Sequence, residues 1–355
     1  MTNPLSGSED IPIDFLQYAQ TKGHENIYYK LDSTTGLVAI IAIHSTRLGP
    51  ALGGCRYTEY SSNRAAIYDA LRLSRSMTSK AALAQLPHGG GKSVIIKSRT
   101  PQDRQALFES FGRFVNELNG KYITAVDSGT TLEDMEAIGH QTRYVASLPS
   151  QGEPSPFAAL GVFRGIEAAV QFKLQRDSLT DVHVAVQGIG KVGHVLVQSL
   201  LEAGAKVSIS DINGQFIEQY RTQWPVTVVP HNQIYQLECD VFAPCALGNV
   251  LNTKTIPQLN CQIVAGAANN QLGHDSDGLL LHQRNILYAP DYVINAGGLM
   301  YASGRYFNKP DAQITQKTRA IYEVLLEIFD RAQQQDAPTN FIANQLANEK
   351  IAQQS

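Results

Sequence analysis

An α/β chain built as two domains is what this sequence predicts, and three observations predict it. Short apolar, β-branched runs alternate with amphipathic stretches along most of the 355 residues, the pattern of strands and helices layered on a sheet. A polar break with two prolines, Gln151-Gly-Glu-Pro-Ser-Pro156, divides the chain near its middle. Beyond it, Gly188-Ile-Gly190-Lys-Val-Gly193 joins an apolar run to a helical pattern. At roughly 100–200 residues per domain the length suffices for two cores, and 43% hydrophobic residues supply them.

Composition also excludes. A formal net charge of −3, with no two Lys or Arg residues adjacent, leaves no electrostatic footprint for nucleic acid or an anionic membrane. Cys55, Cys239, Cys245 and Cys261 have neither metal-ligand spacing nor the density of a disulfide framework, and the nine histidines form no HExxH pair. No metal is expected. The N-terminus lacks the basic start and apolar core of a signal peptide, and no apolar run approaches the ~20 residues that span a bilayer. A soluble, cytoplasmic protein is the expectation.

In order, residues 1 to about 12 are polar and expected to be loose, and Ile13–Gln20 fits a short helix. Asn26–Lys30, Leu37–Ile43 and Cys55–Tyr57 read as strands. Between them, Leu48–Arg56 is glycine-rich and predicts a loop. It is either a plain connection or one whose N–H groups at Gly53 and Gly54 face a small anion. Ser61, Ser62 and Asn63 supply N-caps for a helix to about Ser79, with Ile67, Ala70, Leu71, Ser74 and Met77 on one face. Lys80 follows at its C-terminal end, where the helix dipole alone is reason enough for a cation.

The stretch Met77–Ile96 then brings a second lysine, Lys92, behind three glycines and at the mouth of an apolar strand, Ser93–Ile96. One reading is a glycine turn entering a strand. The other is a close backbone approach to a ligand beside a partly desolvated lysine, whose lowered pKa suits acid–base work near neutrality. Gln102–Leu118 is an amphipathic helix and Tyr122–Val126 a strand ending on Asp127-Ser-Gly-Thr-Thr131. Asp127 reads either as a cap or turn former or as a catalytic carboxylate. Leu132–His140 is a further helix. Gly53–Gly54, Lys92 and Asp127 all lie at strand ends, where open α/β sheets place ligands.

In the second half Phe157–Gln171 is helical, Val182–Gln187 is a strand, and a helix runs to Ala203 before the strand Lys206–Ser210. This is a dinucleotide fingerprint in context. Gly188 permits the tight turn, Gly190 lets the backbone approach the pyrophosphate, and Gly193 allows close helix–strand packing. The helix N-terminus offers N–H donors to phosphate. Asp211, closing the second strand, can accept from the adenosine ribose hydroxyls and repels a 2′-phosphate, and Ile212 and Asn213 bring no compensating arginine. NAD rather than NADP is expected. Val226–Val229, Asp240–Ala243, Gln262–Ala265 and Ile286–Tyr288 fit the later strands of a doubly wound sheet. At their ends lie Ala243-Pro-Cys245-Ala-Leu247, Gly266-Ala267-Ala-Asn269-Asn270-Gln271 and Asn295-Ala-Gly-Gly298. Their asparagines either satisfy backbone groups or face the nicotinamide or the substrate carboxylate. A helix over Thr315–Ala332 and another capped by Thr339 complete the chain.

These motifs carry a resemblance. GPALGGCR (49–56), ALRLSRSMTSK (70–80), GGGK (89–92), SPFAALGVFRG (155–165), FAPCALG (242–248), GAANNQL (266–272) and APDYVINAGG (289–298) together resemble the glutamate/leucine/phenylalanine/valine dehydrogenase family, nearest to its leucine-specific members. The resemblance spans most of the chain. It implies an N-terminal substrate and oligomerisation domain with a mixed sheet (1–148, with 333–355 packing back on it), a Rossmann-type NAD domain (149–332), and an active site in the cleft between them. It implies NAD-dependent oxidative deamination of an apolar L-amino acid, leucine, valine or isoleucine, to the 2-oxo acid and ammonia. The alternatives are an aromatic substrate, phenylalanine or tryptophan, or a non-catalytic dinucleotide-binding homologue. By the same resemblance Lys80 binds the substrate carboxylate with Gly53 and Gly54, Lys92 activates water, and Asp127 relays protons. Leu52, Ala125, Leu299 and Ala302 line the side-chain pocket, with Asn270 at the substrate. NAD contacts fall on Gly188, Ile189, Gly190, Lys191, Val192, Gly193, Asp211, Ile212, Ala243, Cys245, Ala267, Asn269 and Asn295. A homo-oligomer is implied, a dimer or larger and up to an octamer. Four positions depart from the leucine-specific pattern: Val126 replaces an acid, Ser128 an apolar residue, Ala158 a threonine and Tyr301 an asparagine.

Overall fold

The structure, a computed structural model, describes residues 14–246 and 248–353. The segment expected to be loose, 1 to about 12, together with Ile13 of the first expected helix and Leu247 of the FAPCALG motif, lies outside the described residues. The chain divides into two compact units. One comprises the described residues of Met1–Glu153, Ala302–Pro310 and Ala347–Ser355, and the other Pro154–Tyr301 and Asp311–Leu346. Of the C-terminal stretch 333–355, residues 333–346 thus fall with the second unit and 347–353 with the first. Among the described residues no helix is long and apolar enough to cross a membrane.

The first part of the chain runs α1 (Phe15–Lys22), β1 (Asn26–Asp32), β2 (Leu37–Ser45), β3 (Ala51–Thr58), α2 (Asn63–Leu83), β4 (Gly89–Ile96), α3 (Arg104–Glu117), β5 (Tyr122–Val126) and α4 (Leu132–Gly139). The strands form a mixed sheet in the order β1-β2-β4-β3-β5, antiparallel across β1–β2 and β2–β4 and parallel across β4–β3 and β3–β5. Period-two alternation gives the sheet two differently covered faces. On one, Leu37, Ala39, Ile41 and Ile43 pack with Phe108 and Phe111 of α3 and Ile138 of α4. On the other, Ile40, Ala42 and Val94 pack with Ala66, Ala70 and Leu71 of α2. Ser62 caps α2 by accepting the Ala65 N–H, as its serine hydroxyl predicts.

Two glycine stretches expected as loop or turn are strand. Gly53 and Gly54 lie within β3, level with Thr124 and Ala125 of β5, and Gly89, Gly90 and Gly91 open β4. None of these five has a positive φ. What they provide is room. A methyl group at Gly90 would lie 2.2 Å from the Thr78 backbone nitrogen of α2, and one at Gly91 2.7 Å from the Tyr122 ring. The tight turn ahead of β3 is made by Gly49 instead, at φ 130.

The second part runs α5 (Ser155–Leu174), β6 (His183–Gln187), α6 (Gly193–Glu202), β7 (Lys206–Ser210), α7 (Gly214–Gln223), β8 (Thr227–Val228), β9 (Val241–Pro244), β10 (Ile263–Val264), α8 (Asp277–Gln283), β11 (Leu287–Tyr288), α9 (Asp291–Ile294), α10 (Gly297–Tyr306), α11 (Asp311–Arg319), α12 (Ile321–Gln335) and α13 (Thr339–Ala352). Its sheet is parallel throughout, in the order β11-β10-β9-β6-β7-β8. Numbered from β6, that is the doubly wound 3-2-1-4-5-6 order, which reverses between β6 and β9. Helices α7 to α10 have no counterpart in the periodicity of the sequence. α7 buries no residue, so it shows no apolar stripe to find. The helix expected over 315–332 is broken into α11 and α12. Just before the break the Thr318 hydroxyl donates to the Ile314 carbonyl at 2.9 Å, a back-bond that bends helices. Thr339 opens α13, and its hydroxyl donates to the Tyr288 carbonyl at 2.6 Å.

Candidate active site

Strand alternation builds the first unit's site. Leu52, Gly54 and Arg56 of β3 share the sheet face that α2 covers, as do Lys92 of β4 and, from β5, Ala125 and the following Asp127. The β3–β4 ladder is interrupted at this level. Pairing runs through Ala51↔Gly89 and Leu52↔Gly90 and resumes at Cys55↔Ser93, so Gly53, Gly54, Gly91 and Lys92 stand in the gap. A methyl group on Gly54 would lie 2.6 Å from Asp127 Cβ, which makes that glycine the seat of the carboxylate.

Lys92 is 5% exposed and donates to Asp127 Oδ2. Arg56 approaches the same oxygen from β3, with Nε at 3.6 Å, an ionic contact rather than a hydrogen bond. Burial pushes the Asp127 carboxyl up, but Lys92 and Arg56 outweigh it and hold the group at about 2. Asp127 does not cap the next helix. Thr131 does, in a reciprocal box with Asp134. The turn between is fixed by Thr130, whose Oγ1 accepts the Asp127 N–H at 2.9 Å, and by Gly129 at φ 83. For Asp127 helix capping is excluded by this geometry, while turn formation is observed, its carbonyl accepting the Thr130 N–H at 3.1 Å.

Lys80 sits in the last turn of α2, half-buried, two residues beyond the Thr78 that packs on Gly90. Leu52 and Ala125 are buried. Leu299 and Ala302, three residues apart, share a face of α10. The residue that sequence reasoning missed is Arg56, along with its anchor Asp69. Arg56 Nη1 donates to Asp69 Oδ2 at 2.8 Å. Reading Leu48–Arg56 as a loop hid its signal: with Gly54 in a strand, an arginine two residues on must share that glycine's face.

In the second unit the three fingerprint glycines have separate geometries. Gly188 has φ 95, and a methyl there would lie 2.6 Å from Ala246 Cβ; one at Gly193 would lie 2.0 Å from the Gly188 carbonyl. At Gly190 a methyl would meet nothing within 4 Å. That open side, at the N-terminus of α6, fits the pyrophosphate of a dinucleotide. Asp211 accepts the Ile189 N–H at 2.8 Å on Oδ2 and the Asn213 N–H at 2.8 Å on Oδ1. Each carboxylate oxygen keeps a lone pair for a ribose hydroxyl. Beside it, a cavity of about 430 Å³ is lined by Asp211, Ile212, Ile217, Glu218, Val229 and Pro230 among others, apolar walls for a base with acids at the ribose end. Lys191 is exposed and Val192 precedes α6. Ala243 pairs with Val186, and the Cys245 N–H donates to the Gln187 carbonyl at 2.7 Å, so both border the fingerprint.

The asparagines form a cluster of their own. Asn295 Nδ2 donates to the Ala267 carbonyl at 3.1 Å and to Asn269 Oδ1 at 2.8 Å. The Asn270 N–H donates to Asp291 Oδ2 at 2.6 Å, with φ 51 at Asn270. Backbone satisfaction, one of the two readings open for Asn295, is thus observed. Ala158 lies against Gly298, a methyl on which would sit 3.8 Å from its Cβ. Tyr301 is buried and packs on Phe157, centroids 4.6 Å apart.

Fold and site together define a two-domain enzyme with a dinucleotide fold and a separate lysine–carboxylate site. The comparisons name the class further. Residues 24–144 match the model of the Glu/Leu/Phe/Val dehydrogenase dimerisation domain, and 155–220 with 215–355 match that of Glutamate/Leucine/Phenylalanine/Valine dehydrogenase. The chain is 43% identical to leucine dehydrogenase of Geobacillus stearothermophilus over 96% of its length and 94% of that protein's. It is also 43% identical to phenylalanine dehydrogenase of Caldalkalibacillus thermarum, over 94% and 93%. L-tryptophan dehydrogenase from Nostoc punctiforme superposes with a TM-score of 0.86 at 41% identity, covering 96% of this chain and 99% of that one. The chain belongs to the Glu/Leu/Phe/Val dehydrogenase family. It is an amino-acid dehydrogenase, and its cofactor is NAD, as in the leucine and phenylalanine dehydrogenases of the family. The dimerisation-domain match supports self-association.

Proposed function

We propose that the chain oxidatively deaminates an aliphatic L-amino acid, with leucine, valine and isoleucine as the substrates, and runs the reverse reductive amination. The observation that carries this reading is the Lys92–Asp127 ion pair on a buried sheet face whose neighbours Leu52 and Ala125 are apolar. Leu52 and Ala125 offer no charge to an acidic side chain, and Arg56 on the same face is engaged by Asp69 and Asp127. In this reading Lys80 binds the substrate carboxylate, aided by backbone groups in the ladder gap at Gly53 and Gly54. NAD, when bound, supplies the hydride acceptor. Asp127 takes a proton from the substrate nitrogen and returns one to the departing ammonia, and Lys92 activates the water that attacks the imino carbon. Asp211 and Glu218, two acids lining the cavity beside the fingerprint, support NAD over NADP. The assembly is a homo-oligomer, a dimer or larger.

A panel of L-amino acids with NAD and NADP, followed by NADH or NADPH absorbance, tests the reading. Absence of turnover with every apolar amino acid, in protein that binds NAD, would refute it. A second reading, an aromatic substrate, is favoured by the equal identity to leucine and phenylalanine dehydrogenases and by the tryptophan dehydrogenase superposition. The ratio of kcat/KM for leucine to that for phenylalanine and tryptophan decides between them.

A further inference from the structure

The lysine–carboxylate pair leaves one requirement unmet. Asp127 is held by Lys92, yet the proposed chemistry asks Lys92 to exchange protons with water. In the state where Lys92 is neutral, a largely buried carboxylate would lose its counter-ion, and burial would drive it to protonate. A neutral Asp127 no longer accepts a proton from the substrate nitrogen.

Arg56 lies where that deficit can be met. Its Nε stands 3.6 Å from Asp127 Oδ2, the same oxygen that Lys92 engages, and that Nε is buried and makes no hydrogen bond. The other end of the guanidinium is fixed. Nη1 donates to Asp69 Oδ2 at 2.8 Å, and Asp69 is 1% exposed in the middle of α2. The Tyr60 hydroxyl donates to that same Oδ2 at 2.7 Å, and Arg72 Nη2 reaches Oδ1 at 3.4 Å. Lys92 from β4 and Arg56 from β3 are the charged groups that meet Asp127, while Cys55 of β3 and Tyr122 of β5 lie on the opposite face of the sheet. Burial pushes the Cys55 thiol up to about 12 and also raises the Tyr122 phenol, so both are neutral across the working range. A guanidinium, unlike an ammonium, does not give up its proton.

We propose that Arg56, anchored by Asp69, is a positioning residue for Asp127: it holds the carboxylate through Oδ2 and keeps it ionised when Lys92 is neutral. The proposal rests on the roles given above to Lys92 and Asp127. The rival account is a buried ion pair that only ties β3 to α2.

The test removes the Lys92 charge first. In Lys92→Met, infrared titration of the carboxyl band, with Asp127 identified by its loss in Asp127→Asn, is expected to show Asp127 ionised down to its ordinary range. Adding Arg56→Met together with Asp69→Asn removes both charges of the anchoring pair, so Asp69 is not left without its main counter-ion and Asp127 alone loses its cations. Protonation of Asp127 is then expected to move up by at least about one pH unit. An unmoved titration in the folded triple variant would overturn the proposal. In the otherwise native chain Arg56→Met is expected to lower kcat at least about tenfold and Arg56→Lys to restore most of it. Equal rates for the two variants would leave Arg56 a structural tie only. The titration needs no turnover: if Asp127 moves as expected but no amino acid reduces NAD, the deamination reading fails and the Arg56 assignment stands.

Discussion

Gly54→Ala is the sharpest single perturbation of this site. The added methyl would stand 2.6 Å from Asp127 Cβ, 3.2 Å from its Cγ and 3.0 Å from the Val126 carbonyl. Carbon atoms settle at about 3.5–4.0 Å, so Asp127 must retreat by about 1 Å. It cannot do so freely, because Thr130 Oγ1 holds its N–H and Lys92 and Arg56 hold its carboxylate. Overpacking of this kind costs about 1–3 kcal/mol, and each kcal/mol lowers Tm by about 2–4 °C for a domain of this size. The larger effect is on turnover. A misplacement of about 1 Å costs about 10²-fold, so kcat for the preferred amino acid is expected to fall by that order. NAD affinity, measured by calorimetry, stays at the native value because the fingerprint lies in the other unit. Native kcat in a variant with lowered Tm would refute the claim that Gly54 seats the carboxylate. Native Tm and kcat together would refute the packing itself.

Three further outcomes follow from single observations. Gly190→Ala meets no neighbour, so Tm should hold within about 0.5 kcal/mol of stability while the KM for NAD rises at least about tenfold; an unchanged KM would mean that the backbone does not meet the pyrophosphate there. Asp211→Ser with Ile212→Arg removes an acid and adds a cation at the rim of the ribose cavity, and the ratio of kcat/KM for NADP to NAD should rise by at least about tenfold, or about 1.4 kcal/mol. His88 is fully buried, stacked on Phe307 at 5.3 Å, and burial lowers it to about 4. The unfolded chain therefore binds more protons between pH 6.5 and about 4, and the stabilising effect of the neutral ring is lost as pH falls through that window. In His88→Phe, which forgoes one bond to the Pro50 carbonyl, the decline of Tm with acid across that window should be shallower; an identical slope would assign the decline to other buried groups such as His44, also lowered to about 4, and His24, also lowered by burial.

Lys92, Asp127 and the fingerprint were legible because residue type and local pattern conflict in each: a cation within an apolar strand, an acid closing one, glycines at fixed spacing opening a helix. The role of Gly89 to Gly91 was not. A glycine run says that a side chain is missing, and only the folded neighbours say what takes its place, here Thr78 and Tyr122 rather than a ligand. Arg56 and Asp69 stand on different elements, 13 residues apart, so their pairing is a tertiary fact with no local trace. The break at Ala320 was hidden for another reason. A local change at Ala320, whose N–H donates to the Lys317 carbonyl three residues back at 3.2 Å, interrupts a helix without changing its apolar period.

Charge balance links these observations. Lys92 and Arg56 face Asp127, Arg56 and Arg72 face Asp69, and Tyr60 completes the shell of Asp69. Each carboxylate meets two cations, and Arg56 is shared. Such a buried cluster is weak evidence for stability, since apolar residues of equal volume often hold a fold better. In the proposed mechanism its arrangement instead serves proton transfer. A carboxylate with one titratable and one permanent partner can accept and release protons without ever being left alone in a low-dielectric interior. Gly54 then has a second consequence. By letting Asp127 sit against β3, it brings the carboxylate into reach of both cations at once, so the spacing of the strands and the charge state of the site depend on the same missing side chain.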